Sequence, residues 1–180
     1  MRLRHDVLSL RRARRAVAGL ALAIALSLAG VVSIAPVAAA TPACLATQLS
    51  ARITSWEGAA GSRIGNVRLH NTSFVTCYVR DFPRVRLTSA SGIVLIGGPA
   101  ASATAATHTI KPLRYVKTEA STSNYCGGAY TAPTTLTFNL TGVLGRVIAI
   151  PLSSTDTSGV PPCNGAPGSA GSISMHAWHT

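Results

Sequence analysis

From Cys44 onward, apolar and polar positions alternate in short blocks. Leu49, Ala51 and Ile53 share one parity, with Gln48, Arg52 and Thr54 on the other. Val67 and Leu69 alternate with Arg68 and His70, and after Cys77 the pattern resumes through Val85 and Leu87. Leu136, Phe138 and Leu140 alternate with Thr135, Thr137 and Asn139, and Ile173, Met175 and Ala177 alternate with Ser174, His176 and Trp178. A period of two places apolar side chains on one face of a half-buried strand. Strands are therefore expected within 44–56, 64–70, 77–88, 93–96, 110–119, 134–140, 146–151 and 172–178.

The breaks between these blocks have their own chemistry. Asn71-Thr72-Ser73 can bond its own backbone in place of a ladder partner, which favours a turn. Pro83 cannot donate to a ladder, so Phe82-Pro83 marks an edge or a bulge in the strand 77–88. Gly58 to Gly61, Ser89 to Gly92, Gly97-Gly98-Pro99, Cys126-Gly127-Gly128 and Gly142 to Gly145 read as turns or loops. Residues 100–109, rich in Ala, Ser and Thr, fit either a loop or a strand of small residues. Residues 153–171 have almost nothing to bury and read as a long surface loop. Seven to nine short strands without a convincing amphipathic helix predict an all-β protein, an antiparallel β-sandwich with a small barrel as the alternative.

The N-terminus follows a different pattern. Six arginines and one aspartate occupy the first fifteen residues, an apolar run covers 16–35, and Pro36 precedes Ala38-Ala39-Ala40. This reads as a signal-peptide helix over 1–40 with cleavage after Ala40, leaving 41–180 as a single domain. The rival is an uncleaved anchor, since ~20 apolar residues cross a bilayer. Either reading puts the domain outside the cytoplasm. Of the chain's formal charge of +11, the segment 1–40 contributes six arginines and Asp6, so 41–180 holds ten Lys and Arg against Glu57, Asp81, Glu119 and Asp156, a net +6. Modest basicity of this kind suits an anionic envelope or simple solubility.

All four cysteines, Cys44, Cys77, Cys126 and Cys163, fall in the exported part, and an even number there argues for two disulfides. Their spacings contain no Cys-x-x-Cys pair, so a metal site is not expected. Four cysteines allow three pairings. If the first two strands form a hairpin, the start of the first lies beside the end of the second, which selects Cys44–Cys77 and leaves Cys126–Cys163 to tie the late loop to the body.

With these residues in place the chain resembles a family of exported actinobacterial domains of unknown function, DUF4232. The resemblance covers most of 44–178. It rests on Gly61, Val67-Arg68-Leu69, Asn71, Cys77, Val79, the pair Phe82-Pro83 and Val85, with Gly92, Cys126 and Cys163 further on. Asp81 departs from it, because a glycine commonly precedes the aromatic-proline pair, and Ser73 stands where glycine is frequent. The resemblance implies secretion and an immunoglobulin-like sandwich; it implies no catalytic residue and no ligand.

Candidate chemistry is sparse. There is no Gly-x-Ser-x-Gly elbow for a hydrolase, and four dispersed carboxylates do not suit a paired-acid glycosidase. The expectation is a protein that is not an enzyme and uses no cofactor. His176 and His179 lie three apart, so on a strand they point to opposite faces and suit a frayed tail better than a metal site. Tyr78, Arg80, Phe82, Arg84 and Arg86 share one parity and form a basic stripe with two aromatic rings. Such a stripe could hold an anionic envelope polymer or another envelope protein. The plainer alternative is a solvated face whose arginines guard an edge, and a bulge at Pro83 would divide it. Nucleic acid is not an expected partner, and a membrane is expected only through residues 16–40 if they are retained. The sequons at Asn71 and Asn139 are discounted, since the leader and the resemblance look bacterial. The expected role is thus an exported, non-catalytic cell-envelope or extracellular domain that binds an anionic component or a partner protein. The alternatives are a structural domain without a ligand or, behind it, a hydrolase.

Intact-mass analysis of protein from the culture medium is expected to give a chain beginning at Thr41. Full-length chain confined to membranes would instead establish the anchor.

Overall fold

The computed structural model describes residues 40–140 and 145–180. The leader expected over 1–40, apart from Ala40, and most of the turn 142–145 lie outside the described residues. The described part is all-β, with one 3-10 turn at Ala46–Gln48. It has ten strands: β1 (Leu49–Ala59), β2 (Ser62–Asn71), β3 (Cys77–Arg80), β4 (Arg84–Thr88), β5 (Val94–Gly97), β6 (Thr107–Ile110), β7 (Tyr115–Ser123), β8 (Thr135–Asn139), β9 (Arg146–Ile150) and β10 (Ser172–Met175).

Eight strands form one sheet in the order β10-β7-β2-β1-β9-β8-β4-β5, and β3 and β6 pair separately. The large sheet folds over on itself. At one edge β10 packs against β4 and β5 at the other, so the halves β10-β7-β2-β1 and β9-β8-β4-β5 face each other across the core like the two layers of a sandwich. The expectation of a purely antiparallel arrangement is corrected at one pairing. Strand β1 runs parallel to β9, with Arg52 opposite Ile150, because β9 enters beside β1 through a connection from β8 instead of a hairpin with β1.

Two other expectations change. The single strand over 77–88 is two strands in two sheets, because the chain turns sharply at Asp81-Phe82-Pro83. Phe82 has φ +50, a left-handed backbone that L residues adopt at a cost of order 1 kcal/mol. The ambiguous stretch 100–109 ends in β6, whose residues pair with β3 from Ile110 opposite Cys77 to Thr107 opposite Arg80. Splitting one strand and adding another brings the count from the expected seven to nine up to ten.

The alternation read from the sequence sorts most side chains as expected, Thr137 and Trp178 being buried from the polar parity. Val67, Leu69, Val85, Leu87, Leu136 and Phe138 are fully buried, joined by Val79, Ile110 and Val116. The β1–β2 hairpin closes over two residues, Ala60 and Gly61, with Ala59 opposite Ser62. Gly61 sits at φ +82, where a side chain would be strained. The hairpin brings Leu49 opposite Asn71 and so sets Cys44 beside Cys77, which are bonded with Cα atoms 4.8 Å apart. Cys126 is bonded to Cys163, Cα atoms 4.7 Å apart. Other contacts hold the loop after β9 as well. Thr134 N donates to Asp156 O (2.8 Å), Thr122 Oγ1 donates to Gly159 O (2.8 Å), and the Trp56 ring lies against Gly65 and Gly159, where a Cβ would collide with it.

In the chain-entropy view, closing a loop of the Cys126–Cys163 length contributes ~3 to 4 kcal/mol. The Cys126→Ser/Cys163→Ser variant is accordingly expected to melt at a lower temperature with Cys44–Cys77 still closed. Non-reducing peptide mapping and a thermal melt check both parts, and a Cys44–Cys163 peptide would overturn the hairpin argument.

Candidate functional site

The bend that divides 77–88 also divides the stripe. Tyr78 and Arg80 lie on β3 in the small sheet, Arg84 and Arg86 on β4 in the large one. Phe82 stands between them, 48% exposed. Arg80 is half-buried: its Nη1 donates to Ala105 O (3.1 Å) and its guanidinium lies 5.8 Å from the Tyr78 ring centre. Arg84 and Arg86 alternate with the buried Val85 and Leu87 and stand opposite Asn139 and Thr137 of β8. The structure thus brings Arg84 and Arg86 together on one outer strand face and gives Arg80 a separate, partly structural position.

Asp81 is buried and holds the corner. Its Oδ1 accepts from the backbone N–H of Trp178 (2.7 Å), and its Oδ2 lies 3.0 Å from His108 Nε2 on β6. The Trp178 indole N–H donates to Arg80 O (3.0 Å), and its ring lies 5.8 Å from that of Phe138. The expected frayed tail at 176–179 is therefore corrected. Strand β10 ends at Met175, and the chain then turns Trp178 into the core, where it is 1% exposed. Two backbone hydrogen bonds tie Lys117 to His179 (2.7 and 2.9 Å). By alternation alone a tryptophan between two exposed histidines reads as an outward residue, and it is the tertiary contact with Asp81 that turns it inward.

Sequence reasoning missed a second cationic array. On the outer face of β7, β2 and β1, Lys117 stands opposite Arg68 and Arg68 opposite Arg52. In the adjacent row Tyr115 stands opposite His70 and His70 opposite Ser50. The Arg68 guanidinium lies 4.3 Å from the centre of the Tyr115 ring and Lys117 Nζ 5.8 Å from it. Each cation is visible in the sequence as the polar partner of a buried neighbour, but which strands lie side by side is a matter of sheet order.

The acids are occupied elsewhere. Glu57 accepts from Asn66 Nδ2 (2.9 Å), Glu119 lies 3.5 Å from His176 Nδ1, and Asp156 accepts from Ser158 N (2.8 Å). Among the described residues no carboxylate is within ion-pairing distance of an arginine or lysine, and no three His, Cys, Asp or Glu side chains are grouped to hold a metal ion. No helix among them is long and apolar enough to cross a membrane.

The family described as Domain of unknown function (DUF4232) matches residues 44–179. The chain belongs to this family. Its span runs from Cys44, bonded into the small sheet, to His179, whose backbone pairs with β7. No curated protein and no solved structure matches the chain.

Replacing Asp81 by Ala removes the acceptor for Trp178 and for His108. Two hydrogen bonds to a carboxylate, at about 1.5 kcal/mol each, put the expected loss near 3 kcal/mol. Thermal denaturation measures it, and amide exchange at Trp178 and His179 is expected to accelerate ahead of the core strands.

Proposed function

We propose that this domain is an exported, non-catalytic module that binds an anionic component of the cell envelope through cations on its outer strand faces. The observation that carries the reading is the segregation of charge. Arg84 and Arg86 project from an outer strand face with no carboxylate at ion-pairing distance among the described residues, while Asp81 is withdrawn into the core. Arginine presents a planar fork of donors that fits carboxylate and phosphate oxygens in pairs. The two disulfides support placement outside the cytoplasm, where such bonds persist, and the charge pattern of 1–40 supports export.

The plainer reading, a structural domain without a ligand, takes the same arginines as guards near the sheet edge, since β4 lies next to the edge strand β5. Retention on isolated anionic wall polymer separates the two. Binding is expected to weaken as salt rises, because the screening length falls from ~10 Å at 0.1 M to ~3 Å at 1 M. The Arg84→Ser/Arg86→Ser variant is the cleaner probe, since Arg80 also bonds Ala105. It should elute at lower salt with an unchanged melting temperature; elution identical to the native protein would return these residues to an edge-guarding role.

A further inference from the structure

We propose that Arg52, Arg68 and Lys117, in register across β1, β2 and β7, form a binding row for successive phosphates of a polyol-phosphate polymer; this names the ligand class and a second site within the anion-binding reading above. The register is the first observation. Lys117 faces Arg68 and Arg68 faces Arg52, so three cations stand directly opposite one another. Like charges in that position destabilise a sheet. Edge protection does not account for them, because β7, β2 and β1 are interior strands of the large sheet. No carboxylate among the described residues is within ion-pairing distance of the three cations, and Glu119, two residues along β7 and opposite Asn66, is paired with His176. The Tyr115 ring answers part of the charge of Arg68 and Lys117, and the repulsion left between the cations is what a bound anion would relieve.

Surface shape is the second observation. The row separates two shallow clefts. One, of about 260 Å³, is lined by Ser50, Arg52, Arg68, His70 and Tyr115. The other, of about 230 Å³, has Thr54, Asn66, Arg68, Lys117 and His179 in its lining. Arg68 is common to both. A chain laid along one cleft, over the row and into the other would meet every cation. The row spans two interstrand spacings of ~4.8 Å, more than a single small anion covers and enough for two successive charged groups.

The side chains favour phosphate. A phosphodiester offers two non-bridging oxygens to each guanidinium fork. Arg68 is steadied by the Tyr115 ring beneath it, so less freedom is lost when it binds. The Ser50 hydroxyl and the His70 ring lie beside the cations and can bond the hydroxyls of a polyol or sugar between the phosphates. A membrane phospholipid would present the same group, but as isolated headgroups in a plane and not as a linked chain.

The test is titration of the purified protein with poly(glycerol phosphate), inorganic phosphate, polygalacturonate and single-stranded DNA at one ionic strength. Poly(glycerol phosphate) is expected to bind most tightly. Arg52→Glu should weaken it about tenfold or more, the loss of one charge-assisted contact, and should also raise the melting temperature, since an attraction to Arg68 replaces a repulsion. That opposite movement of affinity and stability is what a merely solvated row would not give, and it guards against loss of fold as the explanation. Arg68→Lys, which keeps the charge and loses the fork, should lie between. Polymer binding unchanged in Arg52→Glu but lost in Arg84→Ser/Arg86→Ser would overturn this site and leave the broader reading standing. No binding to any polyanion would overturn both. Polygalacturonate or DNA bound as tightly as poly(glycerol phosphate) would overturn the phosphate-polyol assignment.

Discussion

One end of the join between the two sheets is fixed by a side chain with no exposed surface, the amide of Asn71. It ends β2, where the chain leaves the large sheet for the small one. Its Nδ2 donates to Val75 O (2.8 Å) and Ile110 O (3.1 Å), and its Oδ1 accepts from Ser73 N (3.0 Å) and Ser73 Oγ (2.8 Å). One amide thereby fixes the turn into β3 and the end of β6 together. A buried amide left unbonded would cost a few kcal/mol, so an alternative path for either crossing carries that penalty. Ser73 contributes one of those bonds through its backbone N–H and one through its hydroxyl, and a glycine there would lose the second.

Asp81 holds the opposite end of the small sheet. Strand β3 therefore runs between two buried polar groups, Asn71 where it begins and Asp81 where it ends, with the Cys44–Cys77 bond across its first residue. Strand β6 meets the same two groups, through Ile110 O and His108. A two-stranded sheet is marginal in isolation. Here side-chain hydrogen bonds and a disulfide do what further strands do in a larger sheet, and Asp81 adds the C-terminal tryptophan to the same corner.

This division of labour shapes the surface. The acids serve local polar contacts or the core, whereas most of the basic residues stand on strand faces with no carboxylate at ion-pairing distance among the described residues. A net positive domain becomes a domain with positive outer faces. Fields of that kind draw polyanions and are screened by salt.

Much of the fold was legible because a period of two in hydrophobicity is a property of the backbone: residues i and i+2 share a face wherever a strand forms. The core positions Val67, Leu69, Leu136 and Phe138 followed from it, and so did the hairpin that selects Cys44–Cys77. Sheet membership is not local. Whether 77–88 continues straight or breaks at Phe82 depends on the buried carboxylate of Asp81 and on a tryptophan 97 residues away in the chain. The stripe from Tyr78 to Arg86 could be read as continuous only while its strand was. The row Arg52, Arg68 and Lys117 was hidden for the converse reason. Each cation lies in a different block of sequence, and a strand's neighbours are chosen by where its apolar face can be buried, which no single block encodes. Alternation along each block settles the facing of most side chains because it is local to the strand, whereas the inward turn of Trp178 and the meeting of Arg52, Arg68 and Lys117 come from contacts between distant blocks.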